Sequence, residues 1–172
     1  DGKGVKKIVT ESDLQDAFEE PSLIEEWVDF EKEIAVIVAR NDKGDVSTFP
    51  MVEMEFNPEA NLVEFLIAPS LYGVDVQQRA EAIAKKIADD LQIVGILAVE
   101  MFLTKNGDIL VNELAPRPHN SGHQTIEGNY VSQFGQHLRA IFNLPLGDTR
   151  CRTTAVMINL LGESGYEGLA KY

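Results

Sequence analysis

Across 172 residues the chain has a single cysteine, Cys151. An intrachain disulfide is therefore excluded, and a reducing, cytoplasmic setting is the expectation. Long hydrophobic runs are also lacking. The apolar stretches fall well short of the roughly 20 residues that cross a bilayer, so no membrane-spanning helix is expected. Positive charge is scarce, with 15 Lys and Arg against 28 Asp and Glu and a formal net charge of -13. A surface of that sign repels a phosphate backbone, which argues against a nucleic-acid partner. There is no internal repeat and no low-complexity tract, and Asp1-Gly2-Lys3-Gly4 does not read as a charged-then-apolar leader.

What is there has ordinary soluble composition, 44% hydrophobic and 25% charged, in a length that suits one core. If so acidic a chain handles phosphates, it needs a divalent cation or local basic residues to neutralise them. Ser12 followed by Gln15 reads as a capping box, opening a short helix with Leu14, Ala17 and Phe18 on one side. Strands are expected over Leu23–Val28, Ile34–Ala39 and Val46–Phe56, the last entered through the turn Asn41-Asp42-Lys43-Gly44. Val76, Ala80, Ile83, Ala84, Ile87, Ala88 and Leu91 recur at helical spacing, with Asp75 placed to cap the start. A further helix is expected around Ser132–Phe142, and a strand over Val156–Leu161.

Two apolar runs, Val94–Leu103 and Ile109–Leu114, flank Asn106-Gly107, the dipeptide suited to a two-residue type I′ hairpin turn. With that turn Lys105 pairs with Asp108, and stepping back along the ladder puts Glu100 opposite Glu113. Opposed side chains have Cβ atoms roughly 4.5–5.5 Å apart, where two ionised carboxylates repel. Protonation of one, a basic side chain between them, or a divalent cation held by both would relieve that repulsion. Magnesium holding a polyphosphate suits such a pair, because it commonly takes one or two protein carboxylates and fills its octahedron with water and phosphate. Immediately after the second glutamate a cation, imidazoles and an amide crowd into Ala115-Pro116-Arg117-Pro118-His119-Asn120-Ser121-Gly122-His123, as an anion site requires. Cys151 has no neighbouring histidine to activate it, so no thiol chemistry is expected.

The stretch Asn112–His123, with Glu100-Met101-Phe102 upstream, resembles the signature of carboxyaminoimidazole ribonucleotide synthetases, the purine-pathway members of the ATP-grasp superfamily. The likeness runs from Asp1-Gly2-Lys3-Gly4 through Val156-Met157-Ile158-Asn159-Leu160-Leu161-Gly162, essentially the whole chain. The fold it implies is α+β: part of the ATP-grasp central (B) subdomain over 1–40, then the C-terminal catalytic subdomain over 41–172. The latter would be an antiparallel sheet with packed helices, incomplete at its end, and the family's amino-terminal domain would be missing.

The implied reaction uses ATP and Mg²⁺ to phosphorylate bicarbonate, and the carboxyphosphate formed, or carbon dioxide released from it, carboxylates the exocyclic amine of 5-aminoimidazole ribonucleotide. The implied magnesium ligands are Glu100 and Glu113. Phe102 would line the adenine pocket, with Glu25, Glu26, Trp27 and Val28 as the adenine hinge. Glu33 would hold the ribose, Asn112 would lie beside the triphosphate, and Gly2, Lys3 and Gly4 would form a loop closing over the phosphates. Arg117 would bind bicarbonate and its phosphorylated product, a planar anion suited to a guanidinium fork. His119 and Asn120 would position bicarbonate or the aminoimidazole, and His123 is a weaker candidate of the same kind. The resemblance also implies a homodimer for the whole enzyme, and a fragment that alone does not catalyse. Formate-dependent glycinamide ribonucleotide transformylase, which shares a Pro-Arg-Pro-His stretch, and a non-catalytic ATP-binding module are the alternatives. Ala115, at a position where many ATP-grasp enzymes carry Asn, argues against biotin carboxylase.

Overall fold

The computed structural model describes residues 4–57 and 62–159. Gly2, Lys3 and the expected strand residues Leu160 and Leu161 lie outside them. The described chain forms a seven-stranded antiparallel sheet with helices on both faces. Its strands are β1 (Phe30–Arg40), β2 (Val46–Thr48), β3 (Val52–Asn57), β4 (Leu62–Ala68), β5 (Gly95–Thr104), β6 (Ile109–Ala115) and β7 (Ala155–Ile158). They lie in the order β6-β5-β1-β3-β4-β7, with β2 paired to the far end of β1. The helices are α1 (Val74–Asp90), the single turn α2 (Thr125–Gly128) and α3 (Gln133–Ile141), with short 3-10 helices at Glu11–Asp16 and Asn120–Gly122. Among the described residues no helix is long and apolar enough to cross a membrane.

β1 is the spine. It is β-branched and apolar from Ile34 to Ala39, buried throughout that stretch, and paired with β5 from Phe30 to Arg40. Its alternate residues serve two cores. Ile34, Val36 and Val38 join Leu97, Val99, Met101 and Leu103 beneath α1, where the small side chains Ala80, Ala84 and Ala88 bring the helix close to the sheet. Ile37 and Ala39 join Phe49, Ile96, Ala98 and Ala115 on the opposite face. β1 lies in the middle of the sheet built by the later strands.

Several expected elements change in detail. Val46–Phe56 is two strands rather than one, because Pro50 has no N–H to donate and the register to β1 shifts by one residue across it. The sequence pattern assigns no element to Leu62–Ala68, which is β4. Leu23–Val28 is not a strand: it pairs with no strand among the described residues, and Leu23 and Ile24 are 92% and 100% exposed. Asp75 lies in the first turn of α1, whose cap is Gly73, and Leu91 is 55% exposed, outside the core. The first short helix is 3-10 and is capped from Thr10, with the Asp13 carboxylate accepting the N–H groups of Val9 and Thr10 at 2.9 and 2.7 Å. Those two bonds, with the Thr10 hydroxyl, hold the Asp13 carboxyl below its usual range.

Candidate functional site

The β5–β6 hairpin places Glu100 opposite Glu113. The route differs from the expected two-residue turn. Thr104 N–H donates to Asp108 O at 2.9 Å and Gly107 N–H to Thr104 O at 2.9 Å, closing a three-residue loop, Lys105–Gly107, in which Gly107 takes φ +83°. Up to Val111, opposite Met101, the ladder is therefore one step out of the expected register. Asn112 is then an extra residue, a bulge facing no partner of its own, and beyond it Glu113, Leu114 and Ala115 meet Glu100, Val99 and Ala98. Val111 shares the α1 face with its partner Met101, whereas Glu113 shares the other face with Glu100. In a straight strand containing Asn112, Glu113 would have pointed toward α1.

That second face carries Glu33, Phe102, Glu100 and Glu113 together. Glu33 pairs with Phe102, and Ala35 with Glu100, so Glu33 stands diagonally beside Glu100. The Phe102 ring stacks on Phe30 with centroids 4.5 Å apart and planes at 14°. Burial, then the nearby charge of Glu100, pushes the Glu33 carboxyl up to about 7. Burial, then Glu113, does the same to Glu100, also to about 7, against the opposing pull of the Arg117 guanidinium. Burial first and mutual charge second thus raise both carboxyls, and a cation between them would relieve both. Among the described residues there is no group of three or more His, Cys, Asp or Glu side chains arranged to hold a metal. Two opposed carboxylates fit an ion that completes its shell with water and phosphate oxygens, and do not fit a closed structural site.

The loop after β6 brings basic and imidazole groups back to the pair. Arg117 is exposed, and its guanidinium donates to Pro118 O at 3.2 Å. His119 Nε2 lies 3.4 Å from Glu100 Oε1. Ser121 N–H donates to His119 Nδ1 at 3.3 Å, with the Ser121 hydroxyl 3.0 Å from the same nitrogen. Nδ1 is thus the acceptor, and Nε2 carries the hydrogen that faces Glu100. Burial, followed by the charge of Arg117, pushes the His119 imidazole below its usual pKa and keeps it neutral. Asn120 opens the 3-10 turn, its carbonyl accepting from His123 N–H at 3.0 Å.

The remaining expected residues lie apart from this cluster or alone. Glu25, Glu26 and Trp27 are exposed and Val28 half-buried, on unpaired backbone, with Lys7 Nζ 3.7 Å above the Trp27 ring. A Cβ built on Gly4 would meet nothing within 4 Å. Cys151 is half-buried, its thiol pushed up by burial, and it accepts from Asn129 at 3.7 Å.

The residue that sequence reasoning missed is Gln133. It is fully buried, and its amide accepts from His119 N–H at 2.9 Å while donating to His119 O at 2.7 Å. Nothing in the sequence marks it, since a glutamine in the first turn of an amphipathic helix is ordinarily solvated. Only the return of the 115–128 loop onto α3 encloses it.

An antiparallel sheet with helices packed on it is the fold of an ATP-grasp domain. The sequence matches that family over residues 1–134, and the chain belongs to it. Among its relatives, N5-carboxyaminoimidazole ribonucleotide synthase of Bacillus subtilis (strain 168) is 46% identical over 168 residues, which cover 95% of this chain and 43% of that protein. The crystal structure of N5-carboxyaminoimidazole ribonucleotide synthetase from Thermotoga maritima has a TM-score of 0.85 at 51% identity, covering 92% of this chain and 42% of that one. N5-carboxyaminoimidazole synthase from Aspergillus clavatus, solved in complex with ADP and 5-aminoimidazole ribonucleotide, has a TM-score of 0.75 at 37% identity, over 80% of this chain and 37% of that one. The chain spans less than half the length of these relatives.

Proposed function

We propose that the chain is the nucleotide- and metal-binding part of an N5-carboxyaminoimidazole ribonucleotide synthase. That enzyme uses ATP and bicarbonate to carboxylate 5-aminoimidazole ribonucleotide in purine biosynthesis. The observation that carries this reading is the opposed Glu100–Glu113 pair, with His119 against one of its members and Arg117 close enough to act on its charge.

In this reading Glu100 and Glu113 hold Mg²⁺, which neutralises the phosphates of ATP when bound. Asn112 lies beside the triphosphate, Phe102 lies under adenine, and Glu33 accepts from the ribose hydroxyls. Glu25, Glu26, Trp27 and Val28 serve as the hinge, and Gly2, Lys3 and Gly4 as the phosphate loop. Arg117 holds bicarbonate and stabilises the charge that grows as it is phosphorylated. His119, neutral and donating through Nε2, orients the anion together with Asn120. The work of these side chains is positioning and electrostatic stabilisation. The division into a central (B) subdomain remainder over 1–40 and a C-terminal catalytic subdomain over 41–172, the cytoplasmic setting and a homodimer for the whole enzyme belong to the same proposal. The single cysteine supports the setting, and family resemblance supports the dimer.

The test is ADP release by the protein at its full natural length with Mg²⁺, ATP and bicarbonate, with and without 5-aminoimidazole ribonucleotide. Wild type is compared with Glu113→Gln. Stimulation by the nucleotide that disappears in the variant is expected. No stimulation would overturn the substrate, and stimulation by formate with glycinamide ribonucleotide would put a transformylase in its place.

A further inference from the structure

His119 N–H can only donate and His119 O can only accept, so the two bonds from Gln133 fix which end of its amide is oxygen. The second hydrogen of the Gln133 amide nitrogen is left for His123 Nδ1, 3.0 Å away. That nitrogen must then be an acceptor, which leaves the hydrogen of the neutral His123 ring on Nε2, the far side from the glutamine. The fit leaves no slack. A Cβ on Gly122 would lie 2.5 Å from Gln133 Oε1 and 2.6 Å from its Cδ, so the loop closes directly on the amide. Gln133 N–H donates to Thr125 Oγ1 at 2.8 Å, and that hydroxyl donates to Gly122 O. The glutamine is tied to the loop by backbone as well as side chain. The His123 ring lies against Phe134, centroids 5.9 Å apart and planes at 16°, which limits its rotation.

We propose that Gln133 is a positioning residue: it sets the backbone of His119 and the tautomer of His123, so that His123 presents Nε2–H away from the glutamine while His119, whose tautomer Ser121 sets, presents Nε2–H toward Glu100. That these donors serve an anionic substrate group beside Arg117 rests on the function proposed above. The placement of Gln133 does not.

The experiment is histidine side-chain nitrogen NMR on the ¹⁵N-labelled chain, whose three histidines can be assigned by single replacement. The expected wild-type result is His123 with Nδ1 unprotonated and Nε2 protonated. In Gln133→Glu a carboxylate oxygen replaces the donor, and the His123 hydrogen should move to Nδ1. Gln133→Met removes both bonds and should leave a mixture of tautomers. Gly122→Ala, which displaces the amide without removing it, should also give a mixture. A wild-type His123 carrying its hydrogen on Nδ1 would overturn the proposal, as would the Nε2–H form persisting unchanged in the folded variants. If the variants do not fold, the wild-type spectrum decides. Predicted tautomers together with no nucleotide-stimulated ADP release would overturn the substrate reading and leave the role of Gln133 standing.

Discussion

Glu113 faces Glu100 because Asn112, its neighbour in sequence, occupies no place in the ladder. The bulge restores the register that the three-residue turn displaces, so deleting Asn112 leaves a regular strand with Glu113 still opposite Glu100. We expect the deletion variant to keep Mg²⁺ binding and its sheet content. Binding of Mg²⁺ with ADP should weaken by roughly 10-fold, the scale of losing a residue beside the ligands. Calorimetric titration with metal alone and with metal plus ADP separates the two effects. Loss of the metal itself would show that the register account is wrong.

Stability should fall as pH rises from about 4.5 to about 7. Glu33 and Glu100 both have folded-state pKa values raised from 4.5 to about 7. Their neutral forms therefore favour the fold, fully below the unfolded value, and this contribution is lost as pH climbs through the folded value. After allowing for residual solvent contact, each contributes on the order of 2 kcal/mol. Urea unfolding without metal at pH 5 and pH 8 should give the lower midpoint at pH 8, and Glu33→Gln or Glu100→Gln should flatten the difference. A midpoint that rises with pH would contradict the burial and crowding of these carboxyls.

Arg40 is 7% exposed at the end of β1 and donates to Asp89 Oδ1 at 2.9 Å, to the carbonyls of Asn41 and Ile93 at 3.2 Å each, and to Gln92 Oε1 at 3.1 Å. A cation held at the last turn of α1 also complements the helix dipole. Arg40→Ala strands several acceptors and should cost about 3 kcal/mol. Asp89 is over half exposed, so Asp89→Asn should cost less than about 1 kcal/mol. Equal losses in chemical denaturation would show that the ion pair, and not the carbonyl clamp, carries the stability.

Gly95 has φ +120°, and a Cβ there would meet His137 Cε1 at 2.9 Å and Nδ1 at 3.0 Å. Backbone strain and overpacking act together, so Gly95→Ala should lose about 2–4 kcal/mol. Gly107 also has positive φ but faces open space, and Gly107→Asn should cost less than about 1 kcal/mol. Thermal melts of the two variants would settle the ranking.

Periodicity exposed the parts of this fold that repeat. Helix α1 and strands β1 and β5 carry long apolar patterns, and their ends were legible to within a few residues. The Glu100–Glu113 pairing was legible through two slips that offset each other, a turn shorter than the real one and a missing bulge. Short-range rules assign a turn from its dipeptide and cannot see an insertion that depends on the neighbouring strand. Leu23–Val28 misled for the opposite reason: its residues have strand character, but strand character forms a strand only where a partner edge is available. Gln133 was invisible because its burial comes entirely from tertiary folding.

The two carboxylates also differ in how firmly they are mounted. Glu100 sits on β5, hydrogen-bonded to β1 on one side and β6 on the other, whereas Glu113 sits on β6, an edge strand of the described sheet, just past a bulge. In the function proposed above, an ion held by both would have one ligand mounted between two strands and one mounted on the rim. Glu33 and Phe102, the residues proposed for the nucleoside, both lie on interior strands, so in that reading the nucleoside end of the face is the more firmly held.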